Sequence, residues 1–379
     1  MIRALVIADD CTGALEAAAR CRCNRVLLTA DPAPLADTSL AVVDTDSRAL
    51  APREAAARIR AALARFDHSH LQLIYKKTDS TLRGNIGAEL GALCDAVSDG
   101  RVVYLPAHPR LARSCIGGVL HVDGVALERS PANRGPDAVA TGTICDRFAG
   151  AGPAARSSPV LPDPLPGGVT VLDAADDAEL AARCRELAGL STRGPLVCAG
   201  PVGALYHLLP QLGLEPPVST APAPLRAPRL LVCGSRHAAS LDAVAAARDW
   251  QTVQLDSASA RDDCLRAGDA AAALLAAGGD VILRPSAEPV LPRRLDAVRI
   301  ARYLARAAIR AIGKGRAGGV LAFGGDTNRA LLLAARQTTW QIAGTIADGL
   351  PWGLLERHGI PLVSKSGGYD PGDLLADPF

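Results

Sequence analysis

The sequence predicts an α/β protein of two domains, each with a mostly parallel sheet flanked by helices. Three observations carry this. A short apolar run, a polar or Gly-rich turn and an Ala/Leu-rich helical stretch recur along the chain. The apolar runs are continuous rather than alternating, so the strands are expected to be buried on both faces. A stretch with five prolines in sixteen residues, "LEPPVSTAPAPLRAPR" at 214–229, interrupts the pattern and reads as a linker. The expected division is a first domain at 1–214, a linker at 215–228 and a second domain at 229–379. Each domain lies within the ~50–250 residues usual for one.

The repeated unit justifies each element in turn. "ALVIADDCTGALEAAARC" opens the chain with strand, turn and helix. "LAVVDTDSRALAPREAAARIRAAL" follows with a longer turn. "LQLIYKKTDSTLRGNIGAELGAL" and "PLVCAGPVGALYHLL" continue it. A Pro- and Gly-rich region at 129–168 reads as an excursion of the first domain. Beyond the linker, "RLLVCGSRHAASLDAVAAA" and "GVLAFGGDTNRALLLAA" restart the pattern. In sheets of this kind ligands bind at the carboxyl ends of the strands, where these turns lie.

Composition narrows the class. Apolar residues make up 49% and aromatics only 3% of the 379 residues, so the cores must be Leu, Val, Ile and Ala. The net charge is +2 with no long basic run, which argues against a nucleic-acid partner. No signal peptide and no run of about 18 uncharged apolar residues is evident. The ten cysteines lack zinc-type spacing and several sit inside apolar runs, where a thiol acts as a small hydrophobe. A reducing cytoplasm is the expected compartment. Lysine is scarce: Lys76, Lys77, Lys314 and Lys365 are all the chain has. Two of the four stand side by side in "YKKTDSTLRGN".

The turns hold the candidate chemistry. In "IADDCTGA", Asp9 and Asp10 close a strand, and Thr12 and Gly13 open a helix. Paired carboxylates there accept hydrogen bonds from substrate hydroxyls, hold a cation or supply a base; a helix cap accounts for only one of them. In "KKTDSTLRGN", Arg83 offers a planar fork matched to a carboxylate, and Ser80 and Thr81 add donors. Asp79 is expected to pair with Lys76 or Lys77, or to bind a hydroxyl. Gly324 and Gly325 permit close backbone approach before a helix beginning at Asp326 or Thr327, the arrangement by which amides and the helix dipole hold phosphate. Gly234 with Ser235, and Lys365 with Gly367 and Gly368, form similar turns. None is a P-loop or a GxGxxG fingerprint, which argues against a dinucleotide oxidoreductase. Among the histidines, His237 lies in one such turn, and His108 follows a strand as a candidate pocket residue. A hydroxy-acid-like site in the first domain and a phosphate-like site in the second suggest group transfer.

With these residues assembled, the chain resembles the four-carbon acid sugar kinase family. "IADDCTGA" and "YKKTDSTLRGNIGAEL" are similar to its most specific motifs, and "LPAHPRLARSCIGGVLHVDGVAL" resembles its PA-x-P…GR…GG-x…V-x-G-x-L block. "GSRHAAS", "GGDT" and "KSGGYD" resemble its nucleotide loops. The resemblance implies a kinase that uses ATP and Mg²⁺ to phosphorylate a threonate, an erythronate or a 3-oxo-tetronate, in a cleft between the domains. It implies acid-sugar contacts from Asp9, Asp10, Thr12, Lys76, Lys77, Asp79, Ser80, Thr81, Arg83 and Asn85. It implies nucleotide contacts from Gly234, Ser235, His237, Gly324, Gly325, Asp326, Thr327, Lys365, Gly367 and Gly368. Arg83 is the implied catalytic clamp, and either Asp10 or Asp326 the base. No metal ligands are assigned, and a homodimer stays open as the assembly. The chain departs from the family where Arg236 and His237 replace the end of a GSCS loop, and where Asn328 and Arg329 follow GGDT. Those departures motivate an alternative, a divergent sugar-acid-binding protein without phosphoryl transfer.

Overall fold

In the computed structural model, the residues described are 2–21, 26–27, 39–97, 100–134, 138–149, 152–190, 194–214, 225–257, 259–286, 294–347, 349–365, 369, 371–372 and 374–375. Most of the Pro-rich linker and the expected phosphate residues Gly367 and Gly368 lie outside them. The chain forms two compact α/β units. One is Met1–Cys23 with Thr29–Pro216; the other is Asn24–Leu28 with Pro217–Phe379.

The sheet of the first unit runs Leu40–Asp44, Ala4–Ala8, Leu73–Lys77, Leu196–Gly200, Arg101–Tyr104, Gly168–Leu172, Ala155–Ser158. These strands are parallel throughout. The central runs ALVIA, LAVVD and LVCAG are buried at every position, as helices on both faces require. Each fully buried Leu or Ile contributes roughly 1.5–3 kcal/mol against exposure. A small antiparallel sheet of Arg113–Ile116, Val119–Val122 and Val125–Ala126 was not foreseen from the sequence pattern.

Register places the turns. Ala8 is level with both Asp44 and Lys77. The chain therefore leaves three neighbouring strands at one height, at Asp9, Thr45 and Thr78. Lys76 and Lys77 are the last two residues of their strand and are both buried.

The second unit has the order Gln251–Leu255, Val281–Pro285, Arg229–Cys233, Gly319–Phe323, Ile360–Lys365, Pro351–Leu355, Ile342–Thr345. It is parallel as far as Ile360–Lys365 and antiparallel beyond. Cys233, Phe323 and Lys365 are level, so the Gly234 and Gly324 turns emerge side by side. Trp250, Trp352 and Phe323 pack into the core of this unit with Leu231, Ile282 and Leu321.

Candidate active site

The three level strand ends of the first unit build a cluster of buried charge. Its centre is Arg48, in the turn after Leu40–Asp44. Arg48 Nε lies 2.6 Å from Asp9 Oδ2, and Nη2 lies 3.0 Å from Asp9 Oδ1. The same guanidinium reaches Asp10 Oδ2 from Nη1 at 2.6 Å and Asp10 Oδ1 from Nη2 at 2.8 Å. Nη1 also stands 3.5 Å from Asp79 Oδ2.

The loop that presents Arg48 is pinned by backbone and side chain. Ser47 and Arg48 donate their amides to Asp9 O at 2.9 and 3.1 Å. Asn85 Nδ2 donates to the carbonyls of Ser47, Arg48 and Leu50. Asn85, expected to contact the acid sugar, instead spends its amide on this loop.

Asp79 corrects another expectation. It pairs with neither lysine. Arg83 Nε and Nη2 reach its two oxygens at 2.9 and 2.6 Å, and Thr81 donates its amide at 2.9 Å and its hydroxyl at 2.6 Å. Arg83 is 43% exposed while Asp79 is 5% exposed. The carboxylate thus anchors one edge of a guanidinium whose other edge faces outward. Ser80 and Thr12 are both half-buried, and Thr12 lies in the first turn of the helix Cys11–Cys21.

The two lysines take separate partners because adjacent strand residues point to opposite faces. Lys76 Nζ lies 3.1 Å from Glu89 Oε2, on the helix Ile86–Ala96. Lys77 Nζ lies 3.2 Å from Glu16 Oε2, on the helix Cys11–Cys21. Ser47 hydrogen-bonds Glu89 as well. Buried charges of this kind hold their geometry because removing one partner leaves the other unpaired.

The electrostatics split the two aspartates. Burial works against the Asp9 charge, but Arg48 and Lys76 overcome it and hold the carboxyl at about 2. Asp10 is pushed above its usual value of 3.8 by burial, and by the neighbouring Asp9 charge, despite Arg48. Burial opposes the Asp79 charge too, yet Arg48 and Arg83 hold that carboxyl far down. Lys77 is raised: burial is outweighed by Glu16, Asp10 and Asp9. Two adjacent carboxyls driven apart in this way are the usual signature of an acid–base assignment. Asp10 also caps its helix, accepting from the Gly13 amide at 2.9 Å. A Cβ at Gly13 would stand 2.9 Å from Asp10 Oδ1 and 3.0 Å from Lys77 Nζ, so a larger residue there would have to shift one of these side chains.

The second unit holds a cavity of about 460 Å³ at the carboxyl ends of its parallel strands. Gly234, Ser235, Arg236, Arg284, Asp326 and Thr327 line its polar end. Leu241, Val244, Ile300 and Ala301 form an apolar wall. The volume falls within the ~300–1,000 Å³ of small-molecule sites. Gly324, with φ of +106°, turns the chain into the helix Gly325–Ala334, whose Asp326 and Thr327 line the cavity; the first-turn amides of a helix have no intrahelical partner. Asn328, buried in that turn, ties Ala322 O and Gly324 O at 3.0 Å each. Gly324 and Gly325 shape this turn without lining the cavity. His237 does not line it either: it is exposed, and its amide donates to Ser235 Oγ at 3.3 Å. Lys365 is buried, with Nζ 5.6 Å from the centre of the Phe323 ring.

Residues 4–142 match a family described as the sugar-binding N-terminal domain, and residues 230–369 match the nucleotide-binding C-terminal domain. The chain belongs to the four-carbon acid sugar kinase family. These are carbohydrate kinases. A D-threonate kinase of Bordetella bronchiseptica is 31% identical over 366 residues, covering 91% of this chain and 86% of its own length. A D-threonate kinase of Salmonella typhimurium is 28% identical over 419 residues, covering 99% and 97%. A D-erythronate kinase of Heliobacterium modesticaldum is 34% identical over 144 residues, covering 36% of this chain and 33% of its own. A solved Haemophilus influenzae protein matches with a TM-score of 0.71 at 20% identity over 97% of both chains, a likeness of fold. Among the described residues, no helix is long and apolar enough to cross a membrane.

Sequence reasoning missed Arg48, Glu16 and Glu89 as members of the first unit's charge cluster. A signal for Arg48 was present. "LAVVDTDSRAL" repeats the strand-then-polar-turn pattern that singled out the other two loops. Glu16 sits mid-helix and Glu89 in the first turn of its helix, and neither is marked by its neighbours in sequence.

Proposed function

We propose that the protein is an ATP-dependent kinase that phosphorylates the terminal hydroxyl of a four-carbon sugar acid of the threonate, erythronate or 3-oxo-tetronate type. The observation that carries this reading is the Asp9–Asp10 pair: two carboxyls on one arginine, one held at about 2 and the other raised. Asp10 is the base. It takes the proton of the terminal hydroxyl as that oxygen bonds to the γ-phosphorus and ADP departs with the bridging oxygen. Asp9 stays ionised and accepts a hydrogen bond from a neighbouring hydroxyl. Arg83 presents its outer edge to the acid's carboxylate, with Ser80 adding a donor. Such positioning carries most of the rate, since phosphoryl transfer needs little covalent help.

The nucleotide is assigned to the cavity of the second unit. Amides at the start of Gly325–Ala334 bind its phosphates, with Arg236 and Arg284 supplying charge; the Gly234 and Ser235 amides, expected to contact the nucleotide, instead donate to Phe323 O at 3.2 and 3.1 Å. The apolar wall takes the base. Magnesium fits this donor set. The ion keeps several waters and needs only one or two carboxylates beside substrate phosphates, and Asp326 stands at the polar end of the cavity. No cluster of three or more His, Cys, Asp or Glu exists among the described residues to hold a metal alone. When bound, Mg²⁺ neutralises phosphate charge. The cytoplasm, where ATP and Mg²⁺ are plentiful, is the proposed compartment.

The test is a coupled ADP-release assay over both enantiomers of threonate and erythronate and over 3-oxo-tetronates. The expected result is one ADP per phosphorylated acid for at least one of them. Binding of an acid without turnover of any, by folded protein with ATP and Mg²⁺, overturns the kinase reading in favour of a sugar-acid-binding protein.

A further inference from the structure

Leu82 stands in the turn that carries Arg83, and its backbone is left-handed, with φ of +59°. A residue with a Cβ is disfavoured in that region and persists there only where its surroundings hold it. The peptide unit that joins Leu82 to Arg83 is held on both sides. Its N–H, at Arg83, donates to Asp79 Oδ1 at 3.3 Å. Its C=O, at Leu82, accepts from Arg147 Nη2 at 3.2 Å. Because a peptide unit is planar, these two bonds fix the plane from which the Arg83 side chain departs. Asp79 belongs to the same turn, whereas Arg147 comes from a distant part of the chain.

Arg147 lies in the short helix Ile144–Phe148, within the Pro- and Gly-rich stretch at 129–168. That helix is fixed against the turn it serves. Its first amide, at Ile144, donates to Gly118 O at 3.0 Å, and Phe148 O accepts from the Gly152 amide at 2.9 Å. The buried Phe148 ring meets Tyr104 edge-on, with centroids 5.4 Å apart. The Tyr104 hydroxyl lies 3.1 Å from Thr78 Oγ1, beside the same turn. Glycines let the segment close onto the start of Ile86–Ala96. A Cβ at Gly87 would stand 3.0 Å from Phe148 Cα, and one at Gly152 would stand 2.8 Å from Gly87 O. Packing of this kind leaves Arg147 little freedom other than to point at Leu82.

We propose that Arg147 is a positioning residue for the carboxylate clamp: its hydrogen bond to Leu82 O holds the left-handed turn that presents the outer edge of Arg83. The inference rests on the reading of Arg83 as the residue that receives the acid's carboxylate. Asp79 fixes the inner edge of that guanidinium but not the backbone that leads to it. Without Arg147, the Leu82 carbonyl loses its charged donor, and the turn can relax out of the left-handed region. The fork then keeps its partner Asp79 but loses its aim.

Arg147→Met keeps the length of the side chain and removes its donors; Arg147→Gln replaces it if the first variant does not fold. The KM for the sugar acid should rise about tenfold, the loss expected of one charge-assisted hydrogen bond, while kcat and the KM for ATP stay within about twofold. The same substitution in an Arg83→Ala chain should change the KM for the acid by less than about twofold, because the clamp it serves is gone. A merely structural role gives the same loss with or without Arg83, or lowers kcat and ATP affinity as well. A second measurement does not need turnover. Hydrogen exchange of the full chain should be about tenfold faster in Arg147→Met at the Leu82 and Arg83 amides, and unchanged in the strand Arg229–Cys233. An unaltered KM for the acid, a loss undiminished in Arg83→Ala, or unaltered exchange at Leu82 and Arg83 overturns the proposal. Wild-type kinetics in Arg83→Ala alone would instead remove the clamp reading, and the exchange rates would still decide whether Arg147 holds the turn.

Discussion

Arg48 meets Asp10 through two contacts, Nη1 to Oδ2 at 2.6 Å and Nη2 to Oδ1 at 2.8 Å, while gripping Asp9 with the same plane. The guanidinium gives each carboxylate two contacts, so the difference between them comes from burial and from their other neighbours. Asp9 is further served by Lys76 and Lys77 and is held at about 2. Asp10 is raised by burial and, beyond that, by the repulsion of Asp9. Arg48→Met would leave Asp9 and Asp10 buried without their shared cation. The expected cost is about 3–5 kcal/mol of stability, as for other broken buried pairs, read by urea unfolding. Arg48→Lys keeps the charge but loses the fork. It should fold and still lose activity by ~10-fold or more.

Asp10→Asn tests the base directly. The loss of a general base lowers kcat by roughly 10²–10⁴-fold. The pH dependence has a definite sign. Because Asp10 is raised above 3.8, wild-type kcat/KM should fall as pH drops through a value above 3.8. That limb should be absent in Asp10→Asn. An unchanged limb would place the base elsewhere, with Asp326 the next residue to replace.

Asp9 makes the opposite contribution to stability. Its folded value of about 2 lies below the ordinary 3.8. The stability this gives is present above pH 4 and lost as pH falls toward 2. The gap corresponds to about 2 kcal/mol. Denaturation of wild type and Asp9→Asn should therefore differ most near pH 6, and the difference should shrink by pH 3. A constant difference across that range would mean that Asp9 acts through packing alone.

Arg83 is half outside the cluster, and its anchor on Asp79 is what a substrate clamp needs. Arg83→Ala should lower kcat/KM for the acid by ~10²-fold, since a charge-assisted pair at a desolvated site is worth roughly 3 kcal/mol. Affinity for ATP should not change. Wild-type kinetics in this variant would remove Arg83 from the assignment.

Much of this architecture was legible from the sequence, and the reasons are particular. The parallel sheets could be read because ALVIA, the LAVV of LAVVD, and GVLAF are apolar at consecutive positions, and each strand is buried throughout. The Asp79–Arg83 pair was not read, although it lies within one turn, because the adjacent lysines were the expected partners and the strand turns them to glutamates instead. The scarcity of lysine marked Lys76 and Lys77, but not their roles. Each is paired with a glutamate on a different helix, and register between distant strands decides that. Arg48 was hidden for the opposite reason, since arginine is the common cation of this chain. In the second unit the Gly turns were legible. The apolar wall of the cavity was not, because Leu241, Val244 and Ile300 read as ordinary helix positions until two helices face each other across a strand end.

Gly234 offers a test of the second unit that leaves the first untouched. A Cβ at this position would stand 2.2 Å from Thr327 Oγ1 and 3.4 Å from Leu304 Cδ1. Real side chains do not approach so closely, so Gly234→Ala must displace Thr327 from the first turn of Gly325–Ala334. Thr327 is 2% exposed and has little room to retreat. The strain should cost about 1–3 kcal/mol, as overpacking does elsewhere. It should also raise the KM for ATP by ~10-fold, because the displaced turn carries the amides assigned to phosphate. Binding of the sugar acid alone, followed by calorimetry, should be unchanged. Thr327→Ala in the same chain removes the opposing oxygen and should restore most of the stability. An unaltered KM for ATP in a folded Gly234→Ala protein would mean that this turn does not hold the nucleotide.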